Sequence, residues 1–331
     1  MRKYLLVLVI FSLIFGTHSL PVASAKEKLI VYTSMKEVLI GKLRDAFVKK
    51  YPDIDFDYYS AGAGKLMAKI AAERQSGKII ADVLWTSEIP DFYQLKSQGI
   101  LEKYISPESK SIVSPVKDPE GYFTPARLGT LGIAYNTKKI TDPPKSWQDM
   151  LDPRFKDGFG IANPALSGTA CVSVAMMVYN LGWDYIEKLR GNGTKMGQGS
   201  GQVVDDTASG DLKASLAVDY ITVEKMEKGA PLGFMYPKEM VVIPSPVTIF
   251  KGSPNVKAAQ KYIDFLLSKE GQEMIASTGT LPIREDVPIV KGYGLVPAKE
   301  AEKRAMKIDY LKMLDEKEAL IQKFSTIMRG K

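Results

Sequence analysis

Histidine is nearly missing from this chain: among 331 residues the only imidazole is His18. Because His18 falls in an N-terminal leader, the rest of the chain has none. That excludes Ser-His-Asp and Cys-His catalysis, and it excludes His-ligated zinc. Cysteine is equally scarce. Cys171 stands alone, so no internal disulfide can form, and its apolar surroundings mark it as an inert packing residue. No dense Lys/Arg run with interleaved aromatics occurs, which argues against nucleic acid. Internal repeats and low-complexity tracts are also absent. Gly64-Lys65 lacks both the upstream glycine and the following Ser/Thr of a phosphate-binding P-loop.

What is present is ordinary soluble-protein material. The hydrophobic fraction is 45% and the charged fraction 25%, and the length suits two domains at roughly 150 residues each. One segment departs from this. Arg2 and Lys3 precede an almost unbroken apolar run, Tyr4 to Phe15, and Ala23-Ser24-Ala25 supplies a small-x-small cleavage pattern. This predicts a Sec signal peptide over residues 1–25, cut before Lys26. The apolar run is shorter than the roughly 20 residues a membrane span needs, and no cysteine follows it to carry a lipid. Losing Arg2 and Lys3 lowers the formal charge of +7 by two. The remaining positive balance favours anionic ligands.

Past the leader the pattern is α/β. Leu29 to Tyr32 reads as a strand, and Leu39, Leu43 and Phe47 form a helical stripe ending near Tyr51-Pro52. Ile54, Phe56 and Tyr58 alternate as a second strand, Met67, Ile70 and Ala71 mark a second helix, and Val83-Leu84-Trp85 a third strand. Such alternation implies parallel sheet with helices on both faces. Further strands are expected at Leu131–Tyr135, Gly160–Ala162 and Leu212–Val218. Helices are expected after Pro143–Trp147, over Ala170–Tyr179 and through Ala259–Leu266. Val241 to Phe250 is extended despite Pro244 and Pro246, and the tail after Val296 is charged and helical with no clear face.

Several segments in order resemble the family 1 extracellular solute-binding proteins. They are LIVYTSM (29–35), SAGAGKLMAKIAAE (60–73), ADVLW (81–85), SWQDMLDPRFKDGFGIANPALSGTA (146–170) and AAQKYIDFLLSKEGQEMIASTGTLPIREDV (258–287). The similarity is to the branch holding ferric-ion, aminoalkylphosphonate and sugar-phosphate receptors. It implies a type II periplasmic-binding-protein fold, two α/β lobes joined by two crossover strands. Lobe one would comprise residues 26–128 plus 249–331 and lobe two residues 129–248, with a hinge near Arg127–Gly129 and Pro244–Val247. It also implies an extracytoplasmic, monomeric receptor of an ABC importer that hands a small anionic solute to a membrane permease. No catalytic residue, metal or cofactor is expected.

In such a fold the ligand sits between the lobes at the carboxyl ends of the strands. Thr33-Ser34, Ser60-Ala61-Gly62 and Ser167-Gly168-Thr169-Ala170 each precede a helix, where unpaired N–H groups and the helix dipole favour an anion. Taken singly, each loop reads first as an ordinary N-cap; the resemblance reverses this in favour of ligand contact for Thr33-Ser34 and Ser167–Thr169. Ser200-Gly201 opens another helix. Arg127, beside the expected hinge, suits bidentate oxyanion recognition, or could be a solvated surface charge. Trp85 is either a cleft wall or core. Asp219-Tyr220 should face the cleft, with the Asp219 carboxylate reading ligand hydroxyls or an amine. The ferric branch usually presents two adjacent tyrosines in that region, whereas here Ile221 follows Tyr220. A phosphorylated or phosphonate solute is therefore preferred. Ferric ion with a synergistic anion stays open, as does, more remotely, an enzyme on the same fold.

Overall fold

The computed structural model describes residues 26–112 and 117–330; the expected signal peptide lies outside the described residues. The chain opens with β1 (Glu27–Thr33), α1 (Glu37–Lys50), β2 (Ile54–Ser60), α2 (Ala63–Gln75) and β3 (Val83–Trp85), then α3 (Ile89–Ser97) and β4 (Leu101–Glu102). A long strand, β5 (Thr124–Asn136), leads to β6 (Phe159–Ala162), α4 (Gly168–Leu181), α5 (Trp183–Gly191), β7 (Lys195–Gly197) and α6 (Ser200–Ser209). There follow β8 (Ala214–Val218), α7 (Asp219–Glu227) and β9 (Leu232–Met235). A second long strand, β10 (Val241–Phe250), precedes α8 (Val256–Leu267), α9 (Lys269–Ala276), α10 (Ala298–Arg304) and α11 (Tyr310–Arg329).

Local chemistry accounts for the first elements. α1 buries Leu39, Leu43 and Phe47, carries Glu37 in its first turn and Lys49 and Lys50 in its last, and stops at Tyr51 before Pro52. Those charges match the helix dipole, and the residue before proline disfavours the helical conformation. In β2, Ile54 and Phe56 are buried while Asp55 and Asp57 are exposed, the period-two pattern of a half-covered strand. Phe47, Phe56, Tyr262 and Phe265 pack edge to face beneath it. α4 is buried over Ala170–Val178, as its apolar run predicts, and Cys171 lies within it as a buried free thiol.

The sheet order is β2-β1-β3-β10-β5-β8-β6-β7, with β4 beside β10 and β9 beside β5. Parallel strands β2-β1-β3 form one half and parallel β8-β6-β7 the other. Between them β5 and β10 run antiparallel to each other, from Val241 opposite Leu131 to Val247 opposite Thr124. This is a two-lobed type II arrangement with two connecting strands. The segments expected at the hinge lie in the middle of that ladder, where Leu128 faces Pro244 and Arg127 faces Ser245. Proline has no amide to give a central strand and is tolerated there only at irregularities. The register duly shifts between Ser245 and Pro246, and outside the ladder the Leu128 amide donates to Leu281 O (3.0 Å).

Two expectations change. The strand expected at Leu131–Tyr135 is the second half of β5, whose first half, with Thr124, Arg127 and Thr130, lacks an apolar signature. The helix expected after Trp147 is a single tight turn, Gln148–Leu151, closed off by Pro153.

The C-terminal segment, expected with lobe one, makes contacts on both sides. Arg304 donates to Pro237 O (2.9 Å), Met240 N to Arg304 O (2.7 Å) and Met306 N to Met240 O (2.8 Å). α11 then packs on α4 and α5 and crosses to α3. There Lys317 pairs with Glu88 and, at 2.6 Å, with Asp91; both carboxylates are almost fully buried. One ammonium between two buried carboxylates leaves an excess negative charge. Burial, aided by the neighbouring Glu88, pushes the Asp91 carboxyl up to about 7. Folded Asp91 thus holds a proton that its unfolded counterpart, near 3.9, releases. This contribution to stability is fully present below about pH 4 and is lost as pH rises through 7. Replacement by Asp91→Asn removes the dependence. The difference in Tm, variant minus parent, should grow in the variant's favour between pH 4 and 8; a difference flat across that range would refute the assignment.

Candidate functional site

A cavity of about 510 Å³ lies between the two lobes, at the carboxyl ends of the parallel strands, where open α/β sheets place their ligands. It is framed by the starts of four helices. From the first lobe come Ser34 and Lys36 before α1, and Tyr59 to Ala63 with Lys65 at the start of α2. From the second come Leu166 to Thr169 at α4 and Gln198 to Gln202 at α6. Ser87, Arg127, Val218, Tyr220 and Ile221 complete the lining.

Three of these helix starts are poorly satisfied by the protein itself, whereas α4 is capped by Ser167. Among the described residues, no side chain caps α1, α2 or α6. α2, α4 and α6 carry no acid in the first turn. The first N–H groups of a helix lack partners and gather the positive end of the dipole. Lys36 at the N-cap of α1 and Lys65 in the first turn of α2 add positive charge where the dipole disfavours it. Across the cavity the hydroxyls of Ser167, Thr169 and Ser200 form a closed triangle with sides of 2.9 to 3.0 Å. Each hydroxyl can turn its hydrogen from its neighbour to an incoming oxygen. No carboxylate lines this cavity among the described residues.

The floor is a buried charge network. Arg127, on β5, is 1% exposed. Its Nη1 donates to Thr280 Oγ1 (2.6 Å) and lies 3.6 Å from Asp219 Oδ1, and its guanidinium stacks on the Tyr220 ring. Asp219 Oδ2 accepts from Thr130 N (2.9 Å), Thr130 Oγ1 (2.9 Å) and Thr280 Oγ1 (2.8 Å), and Oδ1 accepts from Tyr220 N (2.7 Å). Burial pushes the Asp219 carboxyl up, and Arg127 with these donors pulls it back toward the charged form. Burial also raises the Tyr220 phenol. That phenol accepts from Lys36 N (3.1 Å), bridging from α7 to the start of α1.

Of the residues expected to face a ligand, Ser34, Ser60, Ala61, Gly62, Arg127, Ser167, Gly168, Thr169, Ser200 and Tyr220 share this cavity. Thr33, Trp85, Ala170 and Asp219 lie behind its wall. Thr33 is fully buried; its Oγ1 accepts from Met35 N (3.1 Å) and its carbonyl from Ala61 N (3.1 Å). Trp85 is core rather than wall, its indole donating to Ser245 O (3.2 Å). The Ala170 amide is turned to Ser167 Oγ. Asp219 cannot read ligand hydroxyls or an amine, because its oxygens are occupied by protein donors and it is wholly buried. Sequence reasoning missed Lys36, Lys65, Tyr59, Ser87, Gln198 and Gln202. For the two lysines a signal existed: a cation at a helix start, against the dipole.

The lobes touch across the cleft. A Cβ on Gly62 would come within 2.1 Å of Leu166 O, and one on Gly64 within 2.7 Å of Ala165 O. Gly62 has φ −60° and ψ 147°, a conformation open to any residue, so space rather than backbone freedom demands glycine here. The lobes are therefore closed on each other at the α2 and α4 starts.

The fold and this cleft are those of a solute-binding transport receptor. A family model described as bacterial extracellular solute-binding protein matches residues 78–308, and the chain belongs to that family. A putative 2-aminoethylphosphonate-binding periplasmic protein of Salmonella typhimurium is 28% identical over 73% of both chains. Among solved structures, the periplasmic binding protein AfuA from Actinobacillus pleuropneumoniae, with fructose-6-phosphate bound, is 27% identical. It has a TM-score of 0.79 and covers 91% of this chain and 98% of its own. Iron-bound HitA from Pseudomonas aeruginosa is 25% identical with a TM-score of 0.76, covering 90% and 99%. The family is described as extracellular, and the Salmonella and Actinobacillus proteins are named as periplasmic, which puts this chain outside the cytoplasm.

Two consequences can be measured. Gly62→Val should leave the unfolding midpoint nearly unchanged but hold the lobes apart. Small-angle scattering of the ligand-saturated variant should then give a larger radius of gyration than the parent; equal radii would contradict the close approach. Asp219→Ala leaves Arg127 buried without its counter-charge and should cost about 3–5 kcal/mol in urea unfolding. A loss below about 1 kcal/mol would show that the pair is not a structural keystone.

Proposed function

We propose that this protein is the exported receptor of an ABC importer that captures a small phosphorylated or phosphonate solute. Residues 1–25 act as its cleaved signal peptide, and the mature chain works as a monomer. Lobe one carries residues 26–128 and 249–331 and lobe two residues 129–248, hinged where β5 and β10 cross. Ligand contacts from both lobes favour the closed form, which a membrane permease recognises, while ATP is hydrolysed by a separate subunit. The observation that carries this reading is the chemistry of the cavity: uncapped starts of α1, α2 and α6, two lysines and a hydroxyl triangle, with no carboxylate on the lining among the described residues. An oxyanion supplies the acceptors that these donors lack. The phosphonate and sugar-phosphate names of the relatives agree with it.

Ferric ion with a synergistic anion is the second reading, favoured by two tyrosines, Tyr59 and Tyr220, on the cavity lining and by the likeness to iron-bound HitA. Against it, burial raises the Tyr220 phenol and so disfavours tyrosinate.

A thermal-shift panel on protein refolded free of carried ligand separates the two. Sugar phosphates, phosphonates and inorganic phosphate are set against ferric citrate. A true ligand at a hundred times its Kd should add about 2.7 kcal/mol to the folded state. Stabilisation by phosphorylated organics alone is the expected result. Stabilisation by ferric citrate alone, with a visible tyrosinate-to-iron band, would transfer the conclusion to iron.

A further inference from the structure

Positive charge is unevenly distributed around the cavity. Arg127 faces it, but its charge is matched by Asp219 behind the wall. Lys36 and Lys65 are different. Both are exposed, both line the cavity, and neither has an ion-pair partner among the described residues. They stand on the first lobe, at the starts of α1 and α2. The hydroxyl triangle of Ser167, Thr169 and Ser200 stands on the second lobe, at the starts of α4 and α6. The two groups follow strands at opposite ends of the sheet order, so they are opposing walls of one cleft.

The hydroxyl triangle has the symmetry of a tetrahedral oxyanion: three hydrogens can be redirected to three oxygens while the amides of two helix starts face the same group. If the phosphoryl or phosphonyl head is satisfied there, the lysines on the other wall remain without an acceptor. A neutral tail would leave them unmatched, and an ammonium would be repelled, since no carboxylate lines the cavity among the described residues. We infer that the ligand carries a second anionic group, a carboxylate, on a short chain from its phosphate or phosphonate head, held by Lys36 and Lys65. The cleft thus selects phosphorylated or phosphonate acids and rejects their amine counterparts by placing like charges together. This rests on the proposed function and specifies its substrate class.

A matched pair of probes isolates the second group. 3-Phosphonopropionate and 2-aminoethylphosphonate share a head and a two-carbon chain but end in carboxylate and ammonium; methylphosphonate has the head alone. By calorimetry on refolded protein, the acid should bind at least about tenfold more tightly than the amine. In Lys36→Gln/Lys65→Gln, changed at two exposed positions, that ratio should fall below about threefold. Equal or tighter binding of the amine overturns the inference, as does a uniform weakening of all three probes in the double variant. Methylphosphonate distinguishes the levels. If it binds without any acid preference, only this inference falls; if neither it nor any phosphorylated compound binds, the proposed function falls with it.

Discussion

The closed two-lobed shape turns on the buried pairing of Arg127 with Asp219. Arg127 stands on β5, one of the two crossing strands, and Asp219 at the start of α7. The hydrogen-bonded partners around them come from Thr130, Tyr220 and Thr280. Taking both charges out of water is costly, and their attraction offsets that cost only when the remaining polar atoms are also satisfied. Here four donors converge on the carboxylate. Because those donors lie on different segments, the network fixes β5, α7 and the segment after α9 in one arrangement. It also presents the guanidinium face and Tyr220 to the cleft floor as a rigid base.

Side-chain capping is uneven along the chain: α3, α5, α8 and α10 start without a cap, while α4, at the cavity, is capped by Ser167. α9 is capped by Ser268, whose hydroxyl accepts from Gly271 N, and α11 by Asp309, which accepts from Leu311 N and Lys312 N. Both caps lie away from the cavity. The cavity-facing starts of α1, α2 and α6 have no such cap among the described residues. A helix start left uncapped and decorated with lysine sacrifices on the order of 1 kcal/mol or more locally. At the cleft this applies to α1 with Lys36 and to α2 with Lys65. Gly62 and Gly64 belong to the same economy, leaving room for the opposite lobe's carbonyls.

Much of this was legible in the chain. Periodicity located β1, α1, β2, α2 and α8, and continuous apolar or extended runs located β3, α4 and β10, which are buried on every side. The small-residue loops at Ser60–Gly62 and Ser167–Thr169 were found from their position before helices. Where the reading went astray, neighbours decided. Asp219 and Trp85 follow or end strands and so point toward the cleft on paper, yet Thr130 and Thr280 enclose one and Ser245 engages the other. β5 was read short because its first half is polar, and those polar side chains are buried only through partners distant in sequence.

By itself the sequence determined the α/β alternation, the absence of imidazole chemistry beyond residue 25 and the presence of small, hydroxyl-bearing loops at helix starts. These are local properties, set by residue type and spacing. Only the tertiary structure decided which of those loops meet, that Lys36 and Lys65 oppose a triangle of hydroxyls, and that Asp219 serves Arg127 instead of a ligand. Such facts depend on the register of β5 against β10 and on how closely α2 approaches the loop before α4. Long-range contacts of that kind leave no periodic trace in a single chain.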